Sequence, residues 1–181
     1  PAFDDRAANI YNVLFYTKSA GDVHQDFLDG VFRAEPPMSA DEQKEAFESA
    51  LTSALADSCR LEVVQALHAQ LREKLEAHRE NKDPDAPSVT AGEVEDILLR
   101  QGVSEEEASA FRAQCQERFG ENAVLNPENL IDSKRFQVKA GEVTVSVDPA
   151  SSYLVETRMI DGVKYLLIPS GNAVEVNGLP V

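Results

Sequence analysis

The chain has 181 residues, of which 43% are hydrophobic and 27% charged, values that are ordinary for a globular protein with a substantial core. Its net charge of −15 is placed unevenly, because 27 acidic and 12 basic residues precede residue 133 and five of each follow. This acidic surface disfavours sequence-independent nucleic-acid binding by residues 1–132 and leaves a basic or metal-binding partner open.

The sequence lacks the signals of membrane insertion and export. No apolar run approaches the roughly 20 residues that cross a bilayer, and no basic segment followed by an apolar one opens the chain. We therefore expect a cytoplasmic protein. The chain begins at Pro1 rather than at Met, which predicts that it is a fragment whose true N-terminus lies upstream.

The first predicted elements precede a pair of prolines. Residues 10–17 are rich in aromatic and β-branched side chains and predict a strand, with a buried helix start as the alternative. Residues 22–33 place apolar side chains on one helical stripe, which Pro36 and Pro37 end.

Two longer helices are predicted next. Ser39 and Glu42 form a capping box before a helix with an apolar face. The longest helix is expected from Ser58 or Cys59 to about Glu80, with Leu61, Val64, Leu67, Leu71 and Leu75 on its apolar stripe. Residues 81–87 are polar and contain prolines, and they predict a linker.

Two shorter helices follow the linker. Capping boxes at Thr90/Glu93 and Ser104/Glu107 begin them, and Gly102 and Gly120 stand where helix-ending glycines belong. Their tight connection invites comparison with a DNA-binding helix-turn-helix. The second helix begins with three glutamates, residues 105–107, which would face phosphates, so we predict a plain helical hairpin. Residues 126–129 then predict a short capped turn.

The remaining chain has the pattern of β structure. Residues 143–147 alternate valine with polar residues, as in a half-buried strand. Two further β-rich runs, residues 154–160 and 163–168, flank Asp161-Gly162, a dipeptide typical of a two-residue hairpin turn.

This predicted hairpin offers the best candidate surface. A two-residue turn places Ile160 opposite Val163, Arg158 opposite Tyr165 and Glu156 opposite Leu167. Glu156, Arg158 and Tyr165 form the candidate interaction surface, and Arg158 over Tyr165 is either a cation–π contact, a partner-binding pair or an ordinary cross-strand pair. The other face carries Val155, Met159, Leu166 and Ile168, and we therefore predict that it faces the core.

We find no motif for catalysis, cofactor binding or metal binding. His24, His68 and His78 make no i, i+4 ligand pair, and His68 is expected to be partly buried. Cys59 and Cys115 stand alone and are expected to be small buried hydrophobic residues, although a disulfide is possible. Glycine-rich phosphate loops and nucleophile motifs are missing as well.

Several stretches resemble an uncharacterised bacterial family, known as domain of unknown function four-three-one-seven. The clearest are residues 154–165 (LVETRMIDGVKY) and 174–178 (VEVNG), with further similarity in residues 11–17, 63–68, 80–82, 129–132 and 147–149. The resemblance implies the C-terminal part of a longer protein and brings no activity with it. A looser similarity of layout, helices followed by a strand-turn-strand block, exists to bacterial nucleoid-associated proteins.

Together these observations predict an α+β fold with a helical layer on a small antiparallel sheet, which contains the C-terminal hairpin. The strand at residues 10–17 is a candidate to join this sheet. The predicted regions are 1–87, 88–132 and 133–181, in one compact unit with a soft boundary near residues 81–89. The leading functional hypothesis is a non-enzymatic protein-interaction or assembly module that binds a protein partner or its own copy, without a cofactor. The alternatives are a nucleic-acid-associated protein, with contacts upstream or at Lys134, Arg135 and Lys139, and the non-catalytic part of a larger enzyme.

Overall fold

The structure, a computed structural model, describes residues 2–3, 13–14, 30–31, 38–82, 84–171 and 174–180. Near the N-terminus, β1 (Ala2–Phe3) pairs antiparallel with β2 (Val13–Leu14). The strand predicted for residues 10–17 is therefore seen at residues 13–14, and the rest of it lies outside the described residues. The helix predicted for residues 22–33 also lies outside them, except for residues 30–31, which are helical.

Residues 39–131 form a unit of packed helices, which we call the helical unit. Two helices make up its first half. Helix α1 (Ala40–Leu55) begins at the predicted capping box, in which Ser39 Oγ accepts a hydrogen bond from the backbone N–H of Glu42. A short 3₁₀ helix (Ala56–Ser58) connects it to α2 (Leu61–Asn81), which is the longest helix described. Helix α2 thus begins two or three residues later than predicted, and Lys82 ends it in a left-handed conformation.

The second half of the helical unit is a hairpin of helices, as predicted. Helices α3 (Ala91–Arg100) and α4 (Glu105–Phe119) each begin at a complete capping box. Gly102 takes a φ of +77° in their connection, a conformation that glycine adopts without strain. Strands β3 (Val89–Thr90) and β4 (Val124–Leu125) pair with each other beside them, and α5 (Pro127–Leu130) completes the unit.

The main core lies among these helices. Phe47 of α1 and Phe111 of α4 meet edge to face with ring centroids 5.7 Å apart, and both are almost fully buried. The remaining buried members come from all four long helices, from the α3–α4 connection and from β3, β4 and α5. They are Ala50, Leu55, Val63, Leu67, Leu71, Val89, Val94, Ile97, Leu98, Val103, Ala108, Cys115, Leu125 and Leu130.

The C-terminal β block consists of separate hairpins. Strand β5 (Phe136–Ala140) pairs with β6 (Val143–Val147), and a 3₁₀ helix (Pro149–Leu154) leads to β7 (Glu156–Ile160) and its partner β8 (Val163–Leu167). Strands β9 (Glu175–Val176) and β10 (Leu179–Pro180) form a last small pair. The fold is therefore α+β, with a C-terminal hairpin, as predicted.

Two details of the predicted sheet are wrong. Within the described residues each sheet has two strands, so the C-terminal hairpin joins no neighbouring strand, and β2 pairs with β1 instead. The first run of the hairpin also begins later than predicted, because Leu154 belongs to the 3₁₀ helix and β7 starts at Glu156.

The predicted core face of the hairpin is largely wrong as well. Val155 is buried, but Met159 is 66% exposed and Ile168 is 48% exposed, whereas Leu166 is half-buried. The hydrogen bonds that the structure describes between α2 and the hairpin lie where β7 begins, at Val155 and Thr157. Alternating side chains are half-buried only if a second layer covers one face.

The two cysteines lie in different environments. Cys115 is buried as predicted, whereas Cys59 is exposed, because it lies in the turn before α2 rather than within a helix. Burial raises the pKa of the Cys115 thiol to about 12.

Among the described helices, none combines the length and the apolar character that a membrane span requires.

Candidate functional site

One polar side chain on α2 fastens the β7–β8 hairpin to the helical unit. The Nε2 of Gln65 donates to the backbone oxygen of Ser152 at 2.6 Å and to that of Val155 at 2.9 Å. Glu62, one turn earlier on the same helix, accepts a long hydrogen bond of 3.5 Å from Thr157. The hairpin is therefore held at its base, and its tip extends away from α2.

The register of the hairpin is as predicted. Asp161 and Gly162 both take positive φ angles, of 50° and 79°, and form the two-residue turn. Arg158 lies opposite Tyr165, Glu156 opposite Leu167, and Ile160 opposite Val163. Since side chains alternate along a strand, these six residues share one face of the ribbon.

On this face the guanidinium of Arg158 lies along its own strand. Its Nη2 is 3.0 Å from Oε2 of Glu156, and both side chains are more than half exposed. An exposed pair of this kind contributes little to stability. The pair places two opposite charges on the same face of the ribbon as Tyr165.

The same face is rich in exposed apolar surface. Ile160 is 43% exposed, Val163 54% and Tyr165 44%. We call the face that carries Ile160, Val163, Tyr165, Leu167, Glu156 and Arg158 the hairpin face. On the opposite side, Met159 adds further exposed apolar surface at the tip.

A second feature is a groove between α1, α2 and β5, with a volume of about 550 Å³. Its floor is apolar and its rim carries Lys44, Arg135 and Lys139, together with the carboxylates of Glu48 and Asp132. We call this feature the basic groove. The apolar residues that line it are Phe47, Leu51, Val64, Leu67, Leu130, Ile131 and Phe136.

Asp132 organises one end of the basic groove. Its Oδ1 accepts hydrogen bonds from the backbone N–H groups of Lys134 at 2.9 Å and Arg135 at 3.2 Å. The bond from Lys134 is the main cause that holds the pKa of the Asp132 carboxyl below its usual range, and the charges of Arg135 and Lys44 lower this pKa further. Asp132 is therefore a carboxylate at neutral pH, and it shapes the turn that enters β5.

His68 of α2 lines the basic groove. Its ring packs edge to face on Phe136, with centroids 5.3 Å apart, and its Nε2 lies 2.9 Å from the backbone oxygen of Asp132. Because a carbonyl oxygen can only accept, Nε2 carries the proton of the neutral ring. Burial lowers the pKa of His68 below its ordinary value, so the ring is neutral at pH 7.

The sequence predicts which residues share the hairpin face, and its role in interaction stays a prediction; the basic groove is not evident from the sequence. Lys134, Arg135 and Lys139 are predicted only as nucleic-acid contacts, and the structure places Arg135 and Lys139 on the groove and Lys134 outside its lining. The signal was weak, because the groove combines side chains that are far apart in the chain. In the part of the chain that the structure describes, no three His, Cys, Asp or Glu side chains are grouped to hold a metal ion.

Comparison with known proteins identifies a family. A family model described as "Domain of unknown function (DUF4317)" matches residues 1–179. No curated protein and no solved structure matches the chain.

Proposed function

We propose that this chain, which belongs to the DUF4317 family, is a protein-interaction module that assembles with a second copy of itself through the hairpin face. The observation that carries the proposal is the exposed apolar surface of Ile160, Val163 and Tyr165 beside a neutralised ion pair. Exposed apolar patches rimmed by polar residues are typical of interaction sites.

The backbone of the hairpin supports the same role. Strands β7 and β8 form a two-stranded sheet, so among the described residues the outer edge of each strand pairs with no other strand. An isolated two-stranded hairpin is only marginally stable in water, and its open edges accept further strands. A partner that covers the face or extends the sheet would stabilise it.

The distribution of charge favours a second copy as that partner. The chain carries a net charge of −15, and like charges oppose the approach of two copies along most of their surface. Beyond residue 132, however, acidic and basic residues are equal in number, five of each. The C-terminal block is therefore the part of the chain where two copies meet with the least repulsion, and a twofold arrangement would place the same face on both sides.

The test is sedimentation velocity over a range of protein concentrations. We expect the wild-type chain to form a dimer as the concentration rises, and the double variant Ile160→Lys/Val163→Lys to remain a monomer, because two charges on each copy would be buried. The double variant Arg158→Ala/Tyr165→Ala should weaken the dimer while its melting temperature stays within a few degrees of the wild type, since both side chains are exposed.

The matched control is Val124→Lys. Val124 is 62% exposed and lies on β4, within the helical unit. The Val124→Lys variant should dimerise like the wild type. A wild-type chain that stays monomeric at every concentration, or a dimer that survives the double lysine variant, would overturn the proposal.

A further inference from the structure

We infer that the basic groove is a binding site for a small organic anion with an apolar body, such as an alkyl carboxylate or alkyl phosphate. This inference is independent of assembly through the hairpin face, because the groove lies between α1, α2 and β5.

The size and the lining of the groove suit a ligand with an apolar body. Its volume of about 550 Å³ falls within the range of roughly 300–1,000 Å³ that is typical of small-molecule sites. Seven of its fourteen lining residues are aliphatic or aromatic, and one of them, Val64 of α2, is 39% exposed. Covering such a wall with an alkyl chain removes apolar surface from water.

The charges on the rim suit an anionic group. Arg135 and Lys139 make no ion pair within 4.0 Å among the residues that the structure describes, and both side chains are exposed. Lys44 has only a long contact, of 4.0 Å, with Glu48. A planar guanidinium can hold two oxygens of a carboxylate or phosphate at once.

The two carboxylates on the groove offset part of this charge. Glu48 is the partner of Lys44, and Asp132, whose Oδ1 accepts bonds from two backbone N–H groups, also interacts with the charges of Arg135 and Lys44. His68 is neutral and donates its Nε2 proton to a backbone oxygen, so it adds no charge. Three cations and two carboxylates give the groove a net charge of +1 in a chain whose net charge is −15, and an anion would complement this local excess.

The experiment titrates the ¹⁵N-labelled chain with octanoate and with octyl phosphate, each as a dissolved monomer, and follows the amide shifts by NMR. We expect saturable shifts for residues of α1, α2 and β5 around the groove with at least one of the two probes. The probe that binds more tightly identifies the preferred anionic group. Octyltrimethylammonium, with the same chain length and the opposite charge, should leave these residues unchanged.

Charge reversal at the rim provides the second arm. Arg135→Glu/Lys139→Glu should weaken binding about tenfold or more, because two attractive contacts become repulsive. Lys134→Glu is the matched control, since Lys134 is adjacent in sequence but does not line the groove, and it should keep the wild-type affinity. Circular dichroism checks that each variant is folded.

Several results would overturn the inference. They are the absence of saturable shifts with both anionic probes, equal binding of octyltrimethylammonium, or unchanged affinity in the doubly reversed variant. Shifts that concentrate on β7 and β8 would equally count against the groove, because they would show adsorption of the alkyl chain to the hairpin.

Discussion

The helical unit, residues 39–131, and the C-terminal β block, residues 133–180, differ in how completely they bury their apolar side chains. All members of the main core cluster lie between Phe47 and Leu130, and they come from helices that cover one another. In the β block, burial is concentrated where the chain meets α2, at Phe136, Pro149, Ser152 and Val155. The tip of the β7–β8 hairpin is left with exposed Met159, Ile160 and Val163.

This difference determines how far each region can be stabilised by its own packing. Helices α1 to α4 can bury their apolar faces against each other, so their free energy of folding comes from within the unit. A two-stranded ribbon has two faces and needs a further layer to cover either of them. We expect the helical unit to supply most of the free energy of folding, whereas the tip of the hairpin leaves the apolar side chains exposed that the proposed dimer would cover.

The largest effect is expected from a cavity in the helical unit. Phe111→Ala should lower the free energy of unfolding by about 3–5 kcal/mol, because a fully buried ring in contact with Phe47 is lost. Tyr165→Ala, on the exposed hairpin face, should change it by about 0.5 kcal/mol or less when measured under conditions that keep the chain monomeric. Urea unfolding measures both, and similar losses in the two variants would remove the distinction between scaffold and hairpin.

A smaller and local effect is expected where the two regions join. Gln65→Ala removes two hydrogen bonds to backbone oxygens, each worth about 0.5–1.5 kcal/mol, and should loosen the hairpin more than the helices. Hydrogen exchange should become faster in β7 and β8 and stay unchanged in α3 and α4.

The control for this junction is Gln70→Ala, on the same helix. Gln70 is exposed, and its Nε2 donates to Oε2 of Glu73 at 3.2 Å, on the same helix. Its removal should leave exchange in the hairpin as in the wild type. If Gln65→Ala speeds exchange equally in the helices, the hairpin is part of the same cooperative unit.

A pH effect is expected at the wall of the basic groove. Burial holds the pKa of His68 below its ordinary value of 6.5, so the folded state favours the neutral ring. The stabilisation is present above pH 6.5 and is lost as the pH falls from there towards the lower folded pKa. The difference in unfolding free energy between pH 7.5 and pH 5.5 should therefore shrink in His68→Gln, whereas an unchanged difference would show that His68 does not titrate in this way.

The smallest effect is expected with nucleic acids. Fluorescence anisotropy with short DNA and RNA at low and moderate salt should show no salt-sensitive binding by this chain, because residues 1–132 carry the whole of the acidic excess. Binding that falls steeply with salt and is abolished by the Arg135→Glu/Lys139→Glu variant would instead support the nucleic-acid hypothesis.

Much of the local structure could be predicted from neighbouring residues. Ser39, Thr90 and Ser104 each form the capping box that their spacing to a glutamate indicates. The register of β7 and β8 also follows from local chemistry, because Asp161 and Gly162 form a two-residue turn and such a turn determines which residues face each other. These features depend on contacts within a few residues along the chain.

Which faces of the hairpin are buried, and which charges lie together, depends on the tertiary structure. The alternation of side chains in the hairpin predicts two faces, but only the position of α2 shows that Val155 is covered and Met159 is not. The basic groove likewise depends on the approach of α1, α2 and β5, which brings Lys44 and Lys139 to one rim. Turns and caps are determined locally, whereas burial and the convergence of charges depend on how distant segments pack, and the local pattern of residues does not encode that packing.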